Sequence, residues 1–101
     1  KLKSKVKNYE CIQLLSNDAA LYFLLRKKSC TKYYFVFVAT SNNTQRKFIK
    51  ELENTQIIIE GGPRDNWDVP LNKKLHLVYD ELNNSFYEFK KISRWRVFLR
   101  Q

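Results

Sequence analysis

Asp80, Glu88 and Lys90 come nearest in this chain to a catalytic set. Two carboxylates can hold Mg²⁺ through oxygen ligands, and an ammonium group beside them can position or activate water. His76, the single histidine, is a candidate general base. In an alternating strand it turns away from Leu75 and Leu77, toward the side of Lys74, Val78 and Asp80. No second histidine is available to pair with a serine or cysteine nucleophile, and no glycine-rich phosphate loop is present. Binding therefore ranks above catalysis, and neither a cofactor nor a metal is expected.

The last nine residues, SRWRVFLRQ, carry a different chemistry. In a strand, Trp95, Val97 and Leu99 point to one face and Arg94, Arg96, Phe98 and Arg100 to the other. Guanidinium groups fork onto phosphates, and an aromatic ring among them can stack on an exposed base. The plain alternative is a solvated edge strand whose charges discourage aggregation. Lys90 and Lys91 precede this segment, and Arg26, Lys27 and Lys28 form a basic turn far from it in sequence.

Asp80 with Glu88-Phe89-Lys90, set across an expected hairpin, resembles the aspartate and Glu-x-Lys arrangement of the restriction-endonuclease-like nucleases. That resemblance implies metal-dependent nucleic-acid cleavage, although only eleven residues follow Lys90 where that family places a further helix and strand. A basic single domain with one histidine is also similar to small ribonuclease toxins. About seven strands with basic loops resemble the pleckstrin-like lipid-headgroup domains, here without their C-terminal helix.

Charge supports an anionic partner. Nineteen Lys and Arg against ten Asp and Glu give a net charge of +9 in 101 residues, an excess that attracts nucleic acid, anionic lipid or acidic proteins. The excess is uneven: residues 1–59 carry +7, residues 60–88 carry −3 and residues 89–101 carry +5.

The elements that must position these groups follow from periodicity. Residues 1–7 alternate lysine with Leu2, Ser4 and Val6, as a basic arm or first strand. YECIQLL and AALYFLLRK read as a hairpin turned at Ser16, Asn17 and Asp18, and YYFVFVAT as a central strand apolar on both faces. SNNTQRKFIKELEN is a helix: Asn43 or Thr44 caps it, Phe48, Ile49 and Leu52 form its apolar stripe, and Lys47 can pair with Glu51. QIIIE then forms a strand, and residues 61–72 form a loop in which Trp67 and Arg64 are candidates for protein interaction. LHLVYDE and SFYEFKKI read as a hairpin turned at residues 82–85, and SRWRVFLRQ as the last strand.

The expected fold is α+β: a single mixed or mostly antiparallel sheet of about six to seven strands, opening with a three-strand meander, with one packed helix. Residues 8–101 form one domain, and the absence of methionine, even at position 1, suggests excision from a longer protein. The hairpin would set Cys11 opposite residue 23 or 24, out of reach of Cys30, so reduced thiols and an intracellular home are expected. The Asn42-Asn43-Thr44 and Asn83-Asn84-Ser85 triplets argue mildly against that home. No transmembrane segment is expected, since no run of 18 apolar residues exists. The leading expectation is a non-catalytic nucleic-acid-binding domain, for DNA or RNA, and an acidic protein is the alternative partner.

Overall fold

A computed structural model describes residues 2–16, 18–61 and 70–101, with the side chain of Phe37 set aside. The architecture is α+β, built on one mixed sheet of five strands in the order β2-β1-β3-β5-β4. β1 (Cys11–Leu15) lies between two parallel partners, β2 (Lys28–Ser29) and β3 (Ile57–Glu60). β5 (Trp95–Arg100) runs antiparallel to β3, and β4 (Phe86–Ile92) antiparallel to β5. Helices α1 (Leu2–Val6) and α2 (Ala20–Leu25) cover one face around Ile12, Leu14, Ile57, Ile59 and Val97. Helices α3 (Asn42–Glu51), α4 (Leu71–Lys74) and α5 (His76–Ser85) cover the other around Leu15, Ile58 and Phe98. No described helix is long and apolar enough to cross a membrane.

Three expected strands take other forms. ALYFLL contains no β-branched residue, and Leu21 and Leu25, four apart, bury together as one helical face while Phe23 and Leu24 stay outside. The meander therefore becomes β1, α2 and a short parallel β2. In YYFVFVAT the core takes Tyr33, Val36 and Ala39, spaced by three, and the backbone makes only a 3-10 turn at Val36–Val38. LHLVYDE lies in α5 except for its first residue, because Leu71, Leu75, Val78, Tyr79 and Leu82 recur at helical intervals and all bury. The expected hairpin at residues 82–85 is thus absent, and α5 runs straight into β4.

The expected helix at 41–54 forms as α3, capped two or three residues earlier than Asn43 or Thr44. Ser41 Oγ accepts from the Thr44 N–H at 3.1 Å. Glu51, expected to pair with Lys47, instead accepts the Lys32 backbone N–H at 3.0 Å and lies 3.8 Å from its ammonium. The buried Gln45 joins α3 to α5: its Oε1 accepts from the Leu77 and Val78 N–H groups, which helix geometry leaves without partners.

Cys11 and Cys30 form a disulfide, which corrects the expectation of reduced thiols. Because β2 runs parallel to β1, Cys30 follows the Ile12–Ser29 pair and sits 5.0 Å from Cys11, Cα to Cα. β2 is only two residues long, so it cannot satisfy all of β1. The Tyr22 hydroxyl accepts the Leu14 N–H at 3.0 Å and donates to Ser29 Oγ at 3.2 Å. Burial raises the Tyr22 pKa, more than these two hydrogen bonds lower it.

Two outcomes follow for stability. Reduction should cost about 3 kcal/mol, the loop-closure value for a bridge spanning 19 residues, read from urea melts with and without reductant. Tyr22→Phe should cost about 1 to 2 kcal/mol by leaving the Leu14 N–H unpaired. A raised folded-state pKa gives stability that is full below the ordinary tyrosine value of about 10 and declines as pH rises past it. The Tyr22 share of that alkaline loss should be missing from the variant in a melt series against pH.

Candidate nucleic-acid interface

Lys3 and Lys5 sit on a helix, α1, and Lys7 follows its end. Leu2 and Val6 are four apart and pack on the core under α2, which turns Lys3 and Lys7 together toward the end of α2 and Lys5 toward β4. Lys3 and Lys7 line an open hollow with Arg26 and Lys27, and Lys3 lines the adjoining one with Lys28. On the far side of α1, Ser4 and Lys5 line a further hollow of about 420 Å³ with Lys90 and Lys91. Ser4 borders the hollows on both sides, so α1 bridges the basic turn and the end of β4. None of the described residues lining these three hollows is acidic.

Local structure leaves Arg26 and Lys28 exposed and engages Lys27. Arg26 ends α2 in the left-handed conformation, φ 55° and ψ 45°, where glycine is the usual occupant. Lys27 Nζ donates to the Tyr9 carbonyl at 2.6 Å, which ties the turn to the segment after α1. Lys28 reaches Glu10 at 3.8 Å across open solvent, a contact of little energy. Two exposed rings border the surface. Phe23 is 84% exposed beside Arg26 and Lys27, and Phe89 is 49% exposed with Lys5 Nζ 5.7 Å from its ring.

The arginines of the last strand do different work from the expected phosphate contacts. From Trp95 to Arg100 the alternation is as read, with Arg94 outside the strand, but β5 lies inside the sheet and α5 covers the face of Arg96, Phe98 and Arg100. Phe98 is buried in that core and so is closed to base stacking. Arg96 donates to Glu60 at 2.8 Å and to Glu88 at 3.2 Å. Arg100 donates to the carbonyls of Thr55 and Leu52, with its guanidinium 4.5 Å from the Phe86 ring. Arg94, in the turn before β5, lies 3.8 Å from Asp18 and stacks on Trp95 at 4.3 Å.

Glu60 is the residue that sequence reasoning left out. It ends β3 with a side chain only 2% exposed, accepting from Arg96 and from the Tyr79 hydroxyl at 2.8 Å. The Glu60 hydrogen bond raises the Arg96 pKa above its already high value, so the guanidinium stays charged. A charge ending an apolar strand, IIIE, in a fold with Arg96 directly opposite was the available signal.

The nuclease-like set is dispersed. Asp80 and His76 are exposed on α5, whereas Glu88 and Lys90 stand on β4, so the two carboxylates do not occupy neighbouring strands. Glu88 is engaged by Arg96, and no cluster of three metal-ligating side chains occurs among the described residues. Arg64 and Trp67 lie outside the described residues.

Removing Arg96 should strand a buried carboxylate, so Arg96→Leu is expected to cost about 3 kcal/mol in urea melts. Adding Glu60→Leu should recover most of that loss, because it removes the charge left unpaired. A double variant as unstable as the single one would contradict this account of the pair. No protein-family model matches the chain, and neither a curated protein nor a solved structure shows significant similarity to it.

Proposed function

We propose that this domain binds nucleic acid, DNA or RNA, through phosphate contacts from the surface centred on α1. The observation that carries the reading is one surface, its three hollows lined by no acidic side chain among the described residues, shared by three basic segments distant in sequence: α1, residues 26–28 and residues 90–91. Arg26 adds support, since a non-glycine residue in the left-handed region costs about 1 kcal/mol and here presents a cation. The contacts assigned are Lys3, Lys5, Lys7, Arg26, Lys28, Lys90 and Lys91, while Lys27, whose ammonium is engaged by the Tyr9 carbonyl, is assigned to holding the turn. Arg96 and Arg100 are assigned to stability, and Arg94 to the rim.

The Cys11–Cys30 bridge moves the proposed compartment from the intracellular one expected at first to an oxidising one, where disulfides persist. A second reading, docking of a protein partner, is favoured by Tyr34 and Phe35, both exposed in the hollow that also holds Phe23.

Salt separates the two. With six or more phosphate contacts, affinity should fall on the order of 10³-fold between about 50 and 200 mM salt. The triple variant Lys5→Gln, Lys90→Gln and Lys91→Gln should flatten the slope of log affinity against log salt by about three. Salt-independent binding, or a triple variant that binds like the parent, would overturn the proposal.

A further inference from the structure

We infer that the strand bound at this surface is single-stranded, with bases stacked on Phe23 and Phe89. The inference rests on the phosphate-binding reading above and adds what the rings contribute. A duplex hides its base faces and offers phosphates alone, whereas an unpaired strand offers phosphates and π-faces together. An exposed phenylalanine is ordinary by itself. Here two such rings border the basic surface on opposite sides of α1, one beside Arg26 and Lys27, the other beside Lys5.

Both rings are held outward by features of the backbone. Phe23 sits on the outer side of α2, because the helix turns Leu21 and Leu25 to the core. Phe89 occupies a β-bulge: Glu88 pairs with Phe98 and Lys90 with Val97, which leaves Phe89 as the extra residue of β4. Alternation from Glu88, which lies opposite Phe98 on the α5 side, already turns Phe89 to the α1 side, where Lys5 sits near its ring, and the bulge brings the next residue to that side as well. Lys90, the next residue, faces the same layer as Val97. Each ring thus adjoins cations that can hold the phosphates flanking a stacked base.

The test compares a fluorescent oligo(dT) of about 12 nucleotides, within the usual site size, with a hairpin duplex of equal phosphate number, by anisotropy at fixed salt. The full chain should bind the single strand at least about ten-fold more tightly than the duplex. Phe23→Ala with Phe89→Ala should weaken single-strand binding on the order of 10-fold to 100-fold and leave the duplex unchanged. Phe23→Trp with Phe89→Trp should restore it, which excludes misfolding as the cause. Equal binding of both polymers, or no effect of ring removal, would overturn this inference and leave the phosphate reading standing. Binding of neither polymer would overturn both and shift the rings to a protein partner.

Discussion

Parallel strands cannot be joined by a tight turn, and β1 has a parallel partner on each side. The chain must therefore leave β1, cross one face of the sheet, return as β2, then cross the other face to reach β3. The crossovers are α2 on one face and α3 on the other, and a strand covered on both faces must be apolar nearly throughout, as Ile12, Leu14 and Leu15 are. The exception, Gln13, is fully buried and satisfied: it donates to the Leu14 and Tyr33 carbonyls and accepts from Thr31 Oγ1. β2 is too short to hold this arrangement by ladder bonds alone. The Cys11–Cys30 bridge and the Tyr22 hydroxyl supply the missing ties at the β1–β2 edge.

The same topology sorts the positive charge. The face of β5 that carries Arg96 and Arg100 lies under α5, where each guanidinium meets a carboxylate or backbone carbonyls and is consumed in holding elements together. The opposite face carries α1 and the end of α2, around which Lys3, Lys7, Arg26 and Lys28 are exposed. Charge counted along the chain does not distinguish these two uses. A burial-dependent quantity does, since a cation beside a buried carboxylate is a structural partner and a cation without one is a site for an external anion.

Some of this was legible in the sequence. QIIIE, SFYEFKKI and SRWRVFLRQ became strands, and residues 42–51 a helix, because their periodicity is unambiguous. ALYFLL and LHLVYDEL misled because each contains alternating apolar residues as well as apolar residues four apart, and aromatic rings weight the eye toward a strand. The error at ALYFLL propagated: a hairpin there put Cys30 far from Cys11 and hid the disulfide. Within the candidate site, the basic residues were readable one by one, whereas their convergence across α1 depended on a topology that short apolar runs do not encode. That Lys90 shares the side of Phe89 was hidden for a related reason, as a bulge is a property of the pairing with β5 rather than of β4 alone.

That convergence is the central claim, and a backbone amide titration followed by NMR reads it directly. Adding an oligonucleotide should shift the amides of α1, residues 26–28 and residues 90–91 together, with one common binding constant, while the amides around Arg96 and Arg100 stay still. Shifts confined to one basic segment, separate binding constants for the three, or the largest changes at β5 would contradict the account.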